Sequence, residues 1–418
     1  MIAVFEAGSF RSPSAATRLL GFFFLGSAAE AVQRVAVLWV SYELTGNAMV
    51  TGAMGAAAYV PGVVLGLLLR KKADAGQAAR LLALTNWVLF TGSSALALVW
   101  AAKLPQEAIL GAFALVQCSL SVVKTLNKAY VGRFIRRQFA SANGVRVRER
   151  ATSMALIGGL VGGGSAGLLL DTIEAGPCFG VAALLYLLSL LAVRRIATER
   201  TAPERARSGT ESGESGEARA SAASKPPPVS TSALRMILLY SIPSSGALPF
   251  ISTVTVALTQ TVAPGSSTFY SILTVAGTCG GFLAGIVLSS GRLPSAVILS
   301  AALVTGGLLT AGLVSTRWQP TVVLLMLLLS MALTAHTMVM QVLTNQAPPE
   351  DQVGRFTVVR NSVAGLAKGG FALLAGWLVE SAGLTVAGLV LAAVLGVFGI
   401  VWWNVRQRAE IKELIRVD

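Results

Sequence analysis

The sequence predicts an all-α membrane protein with twelve transmembrane helices arranged as two six-helix bundles. The first observation behind this is composition. Mean hydropathy is +0.70 and only 12% of residues are charged, against about 25% in an ordinary soluble domain. The second is the number of apolar runs long enough to cross a bilayer, about 20 residues each. They fall at 19–42, 49–69, 81–102, 109–132, 151–170 and 178–193, and again at 237–258, 267–290, 297–316, 321–344, 363–382 and 383–405. The third is the stretch between the two sets, Arg194 to Arg235, which contains RSGTESGESGEARASAASKPPPVS. It is rich in Ser, Gly, Glu, Arg and Pro and cannot bury enough apolar surface to fold. The expected organisation is an N-terminal bundle over 1–193, a disordered cytoplasmic linker over 194–236, and a C-terminal bundle with a cytoplasmic tail over 237–418.

The first span, LLGFFFLGSAAEAVQRVAVLWVSY from Leu19 to Tyr42, carries Glu30, Gln33 and Arg34 near its middle. A charge at membrane depth costs about 2.5–3.5 kcal/mol on insertion scales, so it persists where it faces protein, water or a partner charge. The span is too long for the apolar region of a secretion signal and has no small-residue cleavage site behind it, so it is expected to stay in the membrane. The last two spans meet through Ser381-Ala-Gly383 and must form a helical hairpin.

The net charge of +14 is unevenly distributed. Two basic residues, Lys103 and Arg317, fall in connections on one side, and four, Arg34, Lys124, Lys128 and Lys368, fall inside spans. The remaining Lys and Arg residues lie on the other side, which holds both termini and the linker. The positive-inside rule places that side in the cytoplasm. A topology signal of this kind excludes a nucleic-acid role as the reason for the charge. Cys118, Cys178 and Cys279 show no CxxC or Cys/His pattern and read as small core residues. There is no HExxH, GxSxG or Walker A sequence, so the chain is not expected to be an enzyme and needs neither metal nor cofactor.

Local motifs point to a family. Tyr42-Glu-Leu-Thr-Gly-Asn-Ala48 resembles the end of the first helix in drug and siderophore exporters of the major facilitator superfamily. Gln346-Ala-Pro-Pro-Glu-Asp-Gln-Val-Gly-Arg355 resembles the Pro-Glu…Gly-Arg turn of that group, and Ser141-Ala-Asn-Gly144 followed by a glycine-rich helix resembles its fifth span. The pattern covers most of the chain and is most similar to the enterobactin-exporter type. The chain departs from the family where Gly66 is followed by Leu-Leu-Leu-Arg70-Lys71-Lys72, so the acid of the family's second loop has no counterpart at that position. In the fifth span the glycines Gly158 and Gly162, with Ala166, recur every four residues without the Gly-Pro of antiporters. A small-xxx-small face of this kind lets helices approach closely. In span 7, Pro243, Gly246 and Pro249 are expected to produce a kink.

The resemblance implies the major facilitator fold, in which spans 1, 4, 7 and 10 line a central cavity. It thereby gathers the polar residues of the spans around one space. Glu30 is the one acid well inside a span and is the candidate for proton coupling. Arg34, four residues on, shares its helical face. Lys124 and Lys128 are likewise four apart, and at 1.5 Å per residue Lys124 and Glu30 differ in depth by about 6 Å. Glu30 can therefore pair with Arg34 or with Lys124. Lys128 and Lys368 can contact substrate or snorkel to the interface. His336, the single histidine, is either a structural hydrogen-bonding residue or a relay. Gln117, Asn127, Tyr59 and Tyr240 complete the cavity candidates, beside Asn86 and Tyr270.

An excess of bases over acids inside the spans favours a small anionic substrate. The family resemblance then implies a monomeric exporter in the cytoplasmic membrane of a bacterium, working by alternating access, with a siderophore or similar metabolite as cargo and proton antiport as energy source. A multidrug efflux pump or a lysophospholipid flippase shares these features. A membrane scaffold or sensor working through the linker is the alternative outside transport.

Overall fold

The computed structural model describes residues 13–69, 78–138, 141–198, 231–289, 295–346 and 353–405, and among them every regular element is an α-helix. The N-terminal half contains α1 (Pro13–Thr45), α2 (Ala48–Ala57), α3 (Val60–Leu69), α4 (Ala78–Ala101), α5 (Gln106–Gln138), α6 (Ser141–Ile173) and α7 (Ala175–Thr198). The C-terminal half contains α8 (Thr231–Val262), α9 (Ser267–Ser289), α10 (Ser295–Ser315), α11 (Gln319–Gln346), α12 (Val353–Ala382) and α13 (Leu384–Val405). Among the described residues, twelve spans are long and apolar enough to cross a membrane, six in each half. Outward faces carry exposed Leu98, Leu115, Leu308 and Ile400, as expected where the surrounding solvent is lipid.

The second span differs from expectation in being two helices. It breaks at Ala58–Tyr59, where the Tyr59 N–H donates to Ala56 O at 2.9 Å in a tightened turn. The cause is Pro61, in the first turn of α3. It has no N–H for the preceding turn, and its ring would collide with the carbonyl four residues back, so the helix must restart. By contrast α8 is continuous through Pro243 and Pro249. The expected hairpin is present: α12 and α13 are separated by Gly383 alone, at φ 87°, a left-handed conformation suited to glycine.

Two corrections concern boundaries. Helices α7 and α8 reach into the expected linker from both ends, and residues 199–230 of it lie outside the described residues. Helix α12 begins ten residues before the expected start of span 11 at 363, and so brings Arg360 into a helix. Arg70, Lys71 and Lys72, the basic run of the second loop, also lie outside the described residues.

Each half has its own core. Val35, Trp39, Phe113 and Phe179 join α1, α5 and α7 in the first. Phe250, Leu273, Leu329 and Leu391 join α8, α9, α11 and α13 in the second. The glycine face of α6 acts as expected: a Cβ on Gly158 would collide with the Phe24 carbonyl oxygen, and one on Gly162 with that of Ala28. These glycines let α6 lie backbone to backbone on α1. Two seams join the halves, α2 and α3 against α12, and α6 against α9.

Candidate functional site

The charged residues of α1 meet partners from both halves. Glu30 and Arg34 lie one turn apart on one face, and the Lys124 Nζ of α5 comes within 2.6 Å of Glu30 Oε1. Both members of this ion pair stay partly accessible, 26% for Lys124 and 33% for Glu30. They are therefore not sealed in the bundle core.

The Arg34 guanidinium acts electrostatically on the Tyr59 hydroxyl. Tyr59 owes its position to the break between α2 and α3. Lys368 Nζ, from α12 in the other half, lies 5.5 Å from the centre of the same ring, within the range of a cation–π contact. One tyrosine thus carries a cation from each half, at its hydroxyl and over its face. Tyr270 of α9 adds a second link, stacking on Trp39 of α1 with ring centres 5.8 Å apart. Arg34 also acts electrostatically on Tyr270 and on Tyr186 of α7. Tyr186 is 1% exposed, and its hydroxyl has no partner among the described residues.

A cavity of about 280 Å³ opens beside Arg34, at the lower end of the range for small-molecule sites, about 300–1,000 Å³. Its other wall is formed by α8, α9 and α11, with Leu248, Ile251, Met326 and Met338. The hydroxyls of that wall are largely committed to their own helices: Thr255 donates to Ile251 O at 2.6 Å and Thr278 to Thr274 O at 2.9 Å. The cavity is therefore cationic on the N-terminal side and uncharged on the C-terminal side, where hydroxyl and apolar groups alternate.

The structure brings Glu30, Arg34, Lys124, Tyr59 and Lys368 together, but not the other candidates. Asn127 accepts a hydrogen bond from Thr85 within the N-terminal bundle. Tyr240 is 2% exposed and packs edge-on against Trp402 of α13, 4.4 Å between ring centres, so it belongs to the bundle core and not to the cavity. His336 is fully buried, with Nδ1 2.9 Å from Ser244 Oγ. It sits about 200° around α11 from Thr334, which lines the cavity. Gln117 is buried and its Oε1 has no partner among the described residues. Lys128 lies one turn beyond Lys124 on α5, and its side chain is outside the described residues.

Other polar residues were missed. Tyr186 gave no signal because a tyrosine in an apolar span reads as core. Arg360 was assigned to a loop because hydropathy alone started its span too late. Asp171 and Glu380, near the ends of α6 and α12, each bridge the halves. Asp171, near the end of α6, accepts from the N–H groups of Ser267 and Thr268 at 3.2 and 2.9 Å and from both their hydroxyls. These residues open α9. Glu380, near the end of α12, accepts from the Ala48 N–H that opens α2, at 3.1 Å. Each half thus supplies one carboxylate to the exposed N–H groups of a helix start in the other, where the helix dipole favours negative charge. Both clamps lie on the face opposite the chain termini. Close contact supports them: a Cβ on Gly167 would collide with Ser267 O, and one on Gly376 would crowd Ala48 O.

The sequence profile of the Major Facilitator Superfamily matches residues 19–371. No curated protein matches the chain by sequence. Among solved structures, the chain is similar to the POT family transporter PepTSo, with a TM-score of 0.73, 11% identity and coverage of 97% of this chain and 99% of that one. It is similar to a bacterial homologue of the iron transporter ferroportin in an inward-facing state (TM-score 0.68, 13% identity, 93% and 98% covered). It is also similar to the xylose transporter XylE from E. coli in its inward open conformation (TM-score 0.64, 10% identity, 97% and 98% covered). At these identities the likeness is one of fold.

Proposed function

The chain belongs to the Major Facilitator Superfamily, and from that premise we propose that it is a proton-coupled secondary transporter of a small, carboxylate-bearing anion, working by alternating access. The observation that carries this is the partly accessible Glu30–Lys124 ion pair at 2.6 Å, one turn from Arg34, which lines the cavity between the halves. A solute carboxylate competes with Glu30 for Lys124. A proton on Glu30 frees Lys124 for the solute, and bound solute frees Glu30 for a proton, so each favours the other. Arg34 and Lys368, meeting at Tyr59 from opposite halves, supply further positive charge that a solute anion can bridge. The apolar wall of Met326, Met338 and Ile251 suits the body of such a solute.

Positive linkage of solute and proton favours their movement together. Export in exchange for protons, which the loop motifs suggest, requires the opposite sign, as does a siderophore exporter of that design. A positive-inside reading places the termini and linker in the cytoplasm of a bacterial inner membrane. The Asp171 and Glu380 clamps then close the outer face, in keeping with the inward-facing states of the structural neighbours. The unit is a monomer, and its energy source is the proton gradient with no bound cofactor.

Purified protein in liposomes with an internal pH dye, given a panel of small carboxylates, carboxylate and catecholate siderophores, lipophilic cations and lysophospholipids, tests the reading. A carboxylate that carries protons in its own direction supports it. Proton movement against the solute restores the exchange mechanism, and solute-driven proton flux undiminished in Glu30→Gln removes Glu30 from the coupling.

A further inference from the structure

Arg360 of α12 is a guanidinium inside the C-terminal bundle, 6% exposed. Among the described residues its one hydrogen bond, from Nη1 to Asn361 Oδ1, is at the 3.5 Å limit of such contacts. Nε and Nη2 have no partner among the described residues. These two atoms form the side-on edge of the guanidinium, the fork that matches the two oxygens of a carboxylate. The positive charge of Arg360 acts on His336 of α11, which is itself fully buried. Ser244 of α8 holds His336 Nδ1 at 2.9 Å, and Nε2 has no partner among the described residues. In the tautomer in which Ser244 donates to Nδ1, the ring proton sits on Nε2 and is a further donor. No carboxylate among the described residues forms an ion pair with Arg360. An arginine removed from water with its fork unmatched is costly by several kcal/mol per ion, and such residues persist where an anion completes them.

We propose that Arg360 and His336, with Ser244 orienting the imidazole, form an anion-binding site within the C-terminal bundle that takes a carboxylate. The site is distinct from the Glu30–Lys124 pair, which lies in the other half, and does not depend on the proton-coupling reading. The Arg360 fork takes the two carboxylate oxygens, and the His336 Nε2–H reaches one of them. It gives the C-terminal half, whose cavity wall is uncharged, an anchor for negative charge.

The test is thermal unfolding of the purified full-length protein in detergent, titrated with acetate, chloride or phosphate at constant ionic strength. Acetate is expected to raise the midpoint saturably in an Arg34→Gln/Lys124→Gln background, which lacks the central cations Arg34 and Lys124, and to lose the effect when Arg360→Met is added. Arg360→Lys, which keeps the charge but not the fork, is expected to bind about tenfold or more weakly. His336→Gln is expected to weaken binding by a smaller factor. Arg360→Met removes an uncompensated buried charge, so it should fold and be at least as stable as the parent without acetate. Stabilisation by chloride or phosphate with none by acetate overturns the carboxylate assignment. An acetate effect retained when Arg360→Met is added to the Arg34→Gln/Lys124→Gln background, or absent from that background, overturns the site. Loss of the effect in that background with retention in Arg360→Met alone places binding in the central cavity instead.

Discussion

The Asp171 carboxylate of α6 accepts a hydrogen bond from the backbone N–H of Thr268, 2.9 Å away in the opposite half of the molecule. Glu380 of α12 does the same for Ala48 at the start of α2, at 3.1 Å. The two clamps are counterparts, since in each the end of a late helix in one half caps an early helix in the other. Hydrogen bonds to a charged acceptor contribute about 1.5–3 kcal/mol each when buried, and less at an exposed rim. Neither half holds these carboxylates once the faces part. Asp171→Ala combined with Glu380→Ala is therefore expected to shift the protein toward the state open on that face. Hydrogen exchange should quicken at the first turns of α2 and α9, while the cores of α1 and α8 keep their protection. Unchanged exchange at those turns would show that the glycine contacts alone hold the face shut.

The Glu30–Lys124 pair is partly accessible on both sides, so its worth to stability is small, about 1 kcal/mol or less. Glu30→Gln and Lys124→Gln are each expected to leave the unfolding midpoint within a few degrees of the parent while proton coupling is lost. Solute counterflow, which needs no net proton movement, should survive Glu30→Gln and fall sharply in Lys124→Gln. A large drop in midpoint for either variant would mark the pair as structural.

Tyr59 serves two cations by different parts of its side chain. Tyr59→Phe removes the hydroxyl that Arg34 acts on and leaves the ring beneath Lys368. Tyr59→Ala removes both, including a cation–π contact of about 0.5–2 kcal/mol. Apparent solute affinity measured by transport is expected to fall modestly in the first and by about tenfold or more in the second. Equal losses would mean that the ring face has no role.

Gly162 is where α6 touches the backbone of α1, and a Cβ there would collide with the Ala28 carbonyl oxygen. Backbone cannot yield as a side-chain tip can, so Gly162→Val is expected to destabilise the N-terminal bundle by about 3 kcal/mol or more. Gly159, one turn earlier, has no atom within 4 Å of its would-be Cβ. Gly159→Ala should be neutral or slightly stabilising, since alanine is the better helix former. Monodispersity after extraction and unfolding midpoints check both.

Much of the fold was legible because a bilayer imposes long apolar runs on any helix that crosses it. The hairpin at Gly383 and the glycine face of α6 were visible for similarly local reasons. The break at Tyr59 was overlooked although Pro61 announced it, because the span kept its hydropathy through the turn. Of the site, Glu30, Arg34 and Lys124 were recognisable as charges that lipid would not tolerate. Tyr240 was misplaced because residue type does not tell which face of a helix meets the cavity and which meets a neighbour.

By itself the sequence determined the class of solvent, the number of spans, the division into halves and the identity of the charges placed at membrane depth. These depend on the transfer energies of single side chains and need no partner to be evaluated. Only the tertiary structure decided which charge meets which. It set Glu30 against Lys124, suspended Tyr59 between Arg34 and Lys368, buried Arg360 beside His336, and turned Asp171 and Glu380 into caps for helices nearly a hundred or more residues away. Such pairings depend on the rotation of each helix about its axis and on which helices become neighbours, and both are settled by packing the whole chain together.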